Sequence, residues 1–265
     1  MTIHPFISQF NMSLLEMNAC TIRFGGLTAV SDFNLKLEPN ELVSIIGPNG
    51  AGKTTVFNMI TGVYPPTKGR IAFDGRDITG VPPYRVARYG ITRTFQNIRL
   101  FKEMTVFDNV RTAFCYRAGY GLLSSVLHTG RFYHREKDLA GETNRLLSIF
   151  HLESRASELA RNLPYGDQRR LEIARALAVH PQLLLLDEPT SGMNPTETHE
   201  VTELISQIRN DFDLTLLLIE HHMTVVMGIS ERIIVLDGGV TIAEGKPEEI
   251  QKNPRVIEAY LGEAA

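Results

Sequence analysis

The chain has 265 residues, 43% of them apolar, a formal net charge of −3, and two cysteines, Cys20 and Cys115, far apart and without CxxC spacing. That length suits one large domain, or a core domain with a smaller insertion, and the apolar share is enough for a proper core. The charge offers no basic field for nucleic acid, the thiols offer no disulfide framework or zinc site, and no apolar run approaches the roughly 18 residues of a membrane span.

Residues 1–13 read as a loose leader, without the basic start and long apolar stretch of a signal peptide. Residues 14–73 have a β texture, with strands expected at 19–24, 30–38, 41–46 and 70–73. They are punctuated by Gly25-Gly26, Pro39-Asn40, Pro65-Pro66 and Asp74-Gly75. Between the third and fourth strands stands Gly47-Pro48-Asn49-Gly50-Ala51-Gly52-Lys53-Thr54, which spells G-x-x-x-x-G-K-[ST]. An apolar strand precedes it and a helix-like segment starts at Thr55. A strand, a glycine-rich bend and a helix N-terminus turn backbone N–H groups onto one point, where the helix dipole adds positive potential. The pattern predicts a bound nucleoside triphosphate, with Lys53 reaching its terminal phosphates and the Thr54 hydroxyl on a magnesium ion.

From 97 to 162 the texture is helical. Helices are expected at 106–118 and 131–150, the second with Leu139, Leu146, Ile149 and Phe150 on one side. Between them, 119–130 reads as a loop, and its Leu122, Leu123, Val126 and Leu127 fit a short packed helix better than a partner-binding patch. Beyond Gly166 the pattern alternates: a helix through Leu171, Ile173, Ala174, Leu177 and Ala178, a buried strand at 183–186, a helix at 195–209, and a buried strand at 214–219. Asn194, Pro195 and Glu197 make a good helix start. Continuous apolar strands separated by helices predict a parallel sheet covered on both faces. A hairpin about Asp237-Gly238-Gly239, with strands at 233–236 and 240–243, and short helices close the chain.

Four side chains complete a candidate site. Asp187 and Glu188 follow the strand Leu183-Leu184-Leu185-Leu186, so Asp187 sits where a P-loop protein holds magnesium, through a water. Glu188 points to a different side and can act as general base on an attacking water. His221, just past the strand at 214–219, can donate a hydrogen bond to the γ-phosphate. Gln96 ends a short strand at 91–95 and carries an amide able to reach the magnesium or the water.

Leu163-Pro164-Tyr165-Gly166-Asp167-Gln168-Arg169-Arg170-Leu171 resembles the signature motif of ATP-binding cassette (ABC) proteins, and it lies between Gln96 and the Asp187-Glu188 pair as that family requires. The resemblance covers the chain from Leu14 onward. It implies an α/β fold: a RecA-like P-loop ATPase core with an antiparallel β-subdomain (14–96 and 167–265) and an inserted helical subdomain carrying the signature (97–166). It also implies ATP and Mg2+ as ligands and two cassettes, homo- or heterodimeric, paired head to tail. Each ATP then lies between the 47–55 loop of one cassette and Tyr165, Gly166 and Asp167 of the other. By the same resemblance Phe24 stacks on adenine, Gln96 belongs to a loop that senses the membrane partner, and His221 is the switch histidine.

Thr92-Arg93-Thr94-Phe95-Gln96, Arg99-Leu100-Phe101, Met104-Thr105-Val106 and the ending from Val256 to Ala264 look like the branched-chain amino-acid uptake branch, in its longer ATPase subunit. That implies two transmembrane permease subunits, an external solute-binding protein, and a place on the cytoplasmic face of the cell membrane. The competing readings are a soluble cassette ATPase, a P-loop kinase of small metabolites, and a cassette for another solute such as urea, short amides or lipid. Three positions depart from the general ABC pattern. Pro164 replaces Ser, so the Tyr165 and Gly166 amides and a helix starting near Asp167 must serve the γ-phosphate. Asn194 and His222 each replace Asp, and His222 is expected to face away.

Overall fold

Leu183, Leu184, Leu185 and Leu186 carry no polar face to turn toward water, so their strand belongs in the middle of a sheet. The computed structural model, which describes residues 13–118 and 130–261, places it there. The strand, β7 (Leu183–Asp187), lies in a six-stranded sheet with β3 (Leu42–Ile46), β6 (Ile91–Arg93), β8 (Thr215–Ile219), β9 (Arg232–Asp237) and β10 (Val240–Gly245). Their order is β10-β9-β3-β8-β7-β6. All neighbours are parallel except the β9–β10 hairpin. Successive side chains leave a strand on opposite faces. Val43, Ile45, Leu183, Leu185, Leu217 and Ile219 accordingly join one core, and Leu42, Leu184, Leu186, Leu216 and Leu218 join another.

The first core packs the sheet against helix α1 (Lys53–Ile60) and against an antiparallel sheet of order β2-β1-β4-β5. That sheet is built from β1 (Leu15–Phe24), β2 (Leu27–Leu37), β4 (Lys68–Phe73) and β5 (Arg76–Asp77). Cys20 is buried in it, and desolvation pushes its thiol pKa up, against two weaker backbone hydrogen bonds, so it is a poor nucleophile. A short helix, α2 (Pro83–Arg88), precedes β6 and had no counterpart in the sequence reading, where Pro82-Pro83 falls outside any periodic segment. Proline at the first helical position is compatible with a helix start.

The second core joins α3 (Val106–Ala118), α4 (Gly130–Ile149), α5 (Tyr165–Leu177) and α6 (Pro195–Asp211) to the sheet, with Val110, Leu146, Phe150, Leu171 and Leu184 in one cluster. Short helices α7 (Met223–Ile229), α8 (Pro247–Gln251) and α9 (Pro254–Leu261) cover the β9–β10 end. The capping box at α6 forms as expected. Asn194 Oδ1 accepts the Glu197 N–H and Glu197 Oε2 accepts the Asn194 N–H, both at 3.0 Å.

Several expected bounds move, the first strand starting at Leu15 and the second at Leu27 rather than at 19 and 30, and two of the shifts bear on the site. The strand before Gln96 ends at Arg93, so Gln96 lies in the bend beyond it. The signature helix starts at Tyr165 with Pro164 as N-cap, not near Asp167, so it begins ahead of the expected subdomain division after residue 166. Most of the leader, the 119–129 segment with Leu122, Leu123, Val126 and Leu127, and the last four residues lie outside the described residues.

Candidate functional site

In a parallel sheet the C-terminal ends of the strands share one edge, and β3, β6, β7 and β8 all deliver candidate residues there. Past β3 the chain turns so tightly that two glycines are obligatory. Gly47 has φ 146, and a Cβ on it would stand 1.9 Å from the Leu236 carbonyl oxygen. Gly52, the N-cap of α1, has φ 101, and its Cβ would stand 2.8 Å from the Ala29 oxygen. The loop is thus pressed against β9 and β2 with its backbone open to a cleft of about 370 Å³. Residues 49–55 line that cleft together with Leu27, Thr28, Ala29, Gln96, Glu188 and Gly238. Lys53 lies 8% exposed, and its Nζ donates to the Gly47 and Pro48 carbonyls at 2.5 and 2.8 Å. A buried ammonium beside helix-terminal N–H groups is a seat for phosphate.

Across the cleft, Glu188 follows β7 in the left-handed region, φ 48, with its N–H on the Ile219 carbonyl at 2.9 Å. Such a conformation is uncommon for a side chain of this kind, and it aims the carboxylate off the strand axis. Gln96 Nε2 donates to Glu188 Oε2 at 2.9 Å, and His221 Nδ1 lies 3.9 Å from the same oxygen. Amide, carboxylate and imidazole therefore converge from three strand ends onto the wall opposite the phosphate loop.

The pattern of those elements is matched outside this chain. A family model described as ABC transporter matches residues 30–191, from the hairpin before the phosphate loop through Glu188. The chain belongs to the ABC transporter family. A second model, described as branched-chain amino acid ATP-binding cassette transporter, matches residues 240–265. The cassette is 50% identical over 251 residues to the high-affinity branched-chain amino acid transport ATP-binding protein LivG of Escherichia coli, covering 95% of this chain and 98% of that protein. It is 48% identical to the corresponding protein BraF of Pseudomonas aeruginosa over the same shares of both chains. A solved ATP-binding cassette of an ABC transporter, MJ1267 in its ADP conformation, superposes with a TM-score of 0.82 at 30% identity, over 95% of this chain and 99% of that one. The cassette is an ATP-binding ATPase subunit.

The remaining candidates sit as follows. Asp187 is 3% exposed, and its Oδ2 accepts from Arg93 Nη2 at 2.6 Å while Arg93 Nη1 donates to Asn58 Oδ1 at 2.7 Å. Among the described residues no three His, Cys, Asp or Glu form a metal cage. Magnesium does not need one, since it is bound through one or two carboxylates plus phosphate oxygens and water. Thr54 and Gln96 line the cleft and fit that donor set directly, whereas Asp187 does not line it and fits through a water. Phe24 is exposed and packs edge-on to Tyr64, ring centroids 5.2 Å apart. It does not line the cleft, but it pairs across the hairpin with Leu27, which does.

Tyr165, Gly166 and Asp167 take no part in the cleft. Tyr165 is exposed, and Asp167 faces Arg155 at 3.3 Å and Arg170 at 3.8 Å on its own chain. His222 does not line the phosphate cleft but a separate one with Met193 and Thr198, yet it stays close to its neighbour: its Nδ1 lies 2.8 Å from Thr190 Oγ1, and its ring centroid is 4.3 Å from that of His221. Strand alternation stops at Ile219, so it cannot separate these two rings. Beneath them the buried Glu220 carboxylate accepts from the Thr190 N–H at 2.9 Å and its hydroxyl at 2.6 Å, and from the His221 and His222 N–H groups at 3.1 and 3.3 Å. Sequence reasoning gave no site role to Glu220, or to Arg93, which it named only within the Thr92–Gln96 motif. Glu220's place directly before His221 was the available signal for the first; nothing local pointed to the second.

Proposed function

We propose that this chain is the hydrolytic motor of an importer for leucine, isoleucine and valine, working on the cytoplasmic face of a membrane with a second cassette, two permease subunits and an external binding protein. The observation that carries this reading is the identity to branched-chain amino-acid transport ATPases along nearly the whole chain, through the C-terminal segment particular to that branch. Among the described residues no helix is long and apolar enough to cross a membrane, which fits a subunit that docks on a permease.

In the proposed chemistry the backbone from Gly47 to Thr55 and the Lys53 ammonium hold the triphosphate, with Phe24 at the rim for the base. Thr54, Asp187 and Gln96 would hold magnesium, which neutralises phosphate charge when bound. Glu188 accepts the proton of the attacking water, Gln96 orients that water, and His221 donates toward the γ-phosphate. Tyr165, Gly166 and Asp167 present the first turn of α5 to the nucleotide of the second cassette. Asp167 in that turn is paired with Arg155 and Arg170, whereas a carboxylate at 166 would meet Glu197, whose Oε1 is 3.4 Å from the Cβ position, and would add unpaired negative charge to the turn. Gly166→Asp is expected to block turnover of the assembled transporter, while Pro164→Ser, which adds a donor, leaves it equal or slightly higher. A silent Gly166→Asp would mean that this turn does not close a hydrolytic site.

The permease contact is assigned to a cleft of about 780 Å³ beside Gln96, walled by Val86, Ala87, Arg99, Leu100, Phe101 and Ala113. Phe101 is exposed under the Arg175 guanidinium at 5.2 Å, while Ile98 and Leu100 are half-buried rather than exposed. An apolar floor with an arginine rim suits a short amphipathic helix. Truncating Leu100 and Phe101 to Ala is expected to uncouple ATPase activity from transport, with nucleotide binding intact. The function itself is tested by deleting the gene and measuring uptake of radiolabelled leucine in intact cells. Unchanged uptake without a rescuing paralogue rules out the substrate, and loss of urea or short-amide uptake instead reassigns it.

A further inference from the structure

Arg169 heads the largest fully buried side chains among the described residues, 0% exposed, and its ion-pair partner Glu172 is 2% exposed. Removing two charges from water costs more than their attraction returns unless nearly every donor and lone pair is used, so such a pair is a poor device for stability alone. Here the donors and acceptors are spent on one loop. Arg169 Nη1 donates to Glu172 Oε2 at 2.8 Å and to the Phe95 carbonyl at 2.7 Å. Its Nη2 donates to the Gln96 carbonyl at 2.9 Å and to the Tyr165 hydroxyl at 3.4 Å, and Nε alone has no partner. Glu172 Oε1 accepts the Arg99 N–H at 3.0 Å, and Arg175, one turn further along α5, donates to the Arg99 carbonyl. Three side chains at three-residue spacing on one helix thus grip both arms of the 95–99 loop by its backbone.

That loop carries the Gln96 side chain, which donates to Glu188. Glu172 and Arg175 also line the cleft assigned above to the permease, beside Arg99 and Phe101. We infer that the buried Arg169–Glu172 pair is a positioning element for hydrolysis: it holds the Phe95–Arg99 backbone to α5 so that the Gln96 amide stays registered on the Glu188 carboxylate, and it ties that register to the docking cleft. The second half rests on the permease reading; the first does not. An uncompensated loss of the pair frees the loop while leaving the phosphate cradle, which belongs to β3 and α1, untouched.

The test uses Arg169→Ala and Arg169→Lys, the second keeping the charge but losing the two-pronged grip on adjacent carbonyls. Amide hydrogen exchange is read on the full chain alone, and kcat and KM for ATP on the assembled transporter. Loss of charge-assisted hydrogen bonds predicts exchange at Arg99 faster by about tenfold or more, with α1 protection unchanged. It also predicts kcat lower by about tenfold with KM within about twofold, and Lys intermediate in both readouts. Wild-type exchange at Arg99 in a folded variant, an unchanged kcat, or a raised KM at constant kcat overturns the inference. Failure of both variants to fold also overturns it, because the pair would then be a requirement of the core. If the transporter fails to assemble with a permease while Arg99 exchange still rises, the permease reading falls and the loop clasp stands.

Discussion

Lys53→Ala is expected to abolish ATP hydrolysis. The ammonium is held almost out of water by the Gly47 and Pro48 carbonyls at 2.5 and 2.8 Å, at the N-terminus of α1. It is the one cation among the described residues that line the cleft. A preorganised positive group in a partly desolvated site is worth far more against developing phosphate charge than it would be in water. Removing one such donor from comparable sites costs roughly 10²–10³ in rate. The variant should fold, because α1 keeps its backbone bonds, the Val56 N–H on Gly52 among them, and alanine is a strong helix former. Steady-state phosphate release by the assembled transporter gives the measurement, with a fluorescent nucleotide reporting binding. Turnover within a few fold of wild type would sink the assignment of this loop.

The parts of the molecule that were legible in advance are those whose cause is local. Val106–Ala118 forms with the bounds its periodicity predicted, and the run of leucines before Asp187 reads as a two-faced buried strand because it has no polar side to expose. The phosphate loop is legible for a local reason too: a strand-to-helix turn of this kind demands positive φ, 146° at Gly47 and 101° at Gly52, which glycine supplies, although the clashes with Leu236 and Ala29 that also bar a side chain there are distant in sequence. What stayed hidden is held by distant partners. An arginine in a strand, or in a helix between Gln168 and Arg170, reads as a solvated charge. Nothing near Arg93 announces Asp187, 94 positions away, and nothing near Arg169 announces two backbone carbonyls, which have no sequence signature at all. The early end of β6 has the same origin. The Thr94 N–H still bonds to Leu185, but the Phe95 and Gln96 carbonyls are turned to Arg169 rather than to a neighbouring strand.

Glu188→Gln is expected to keep ATP bound while stopping its hydrolysis. The substitution is close to isosteric, and glutamine tolerates the φ of 48° about as well as glutamate does, so the turn after β7 should survive. Its side-chain oxygen can still accept the Gln96 amide, which now donates to Glu188 at 2.9 Å. What is lost is the ability to take a proton from water, and loss of general-base catalysis costs roughly 10²–10⁴-fold. The neutral amide also relieves charge repulsion toward the triphosphate across the cleft, so nucleotide affinity should hold or rise. With binding intact and chemistry blocked, the paired cassettes have no route to the post-hydrolysis state. The variant should therefore run as an ATP-dependent dimer with its partner cassette on gel filtration, while single-turnover phosphate release falls by the stated factor. His221, at 3.9 Å from the same carboxylate oxygen, is the alternative base. A Glu188→Gln variant that neither dimerises nor slows would move the role to His221, and His221→Ala would then carry the loss.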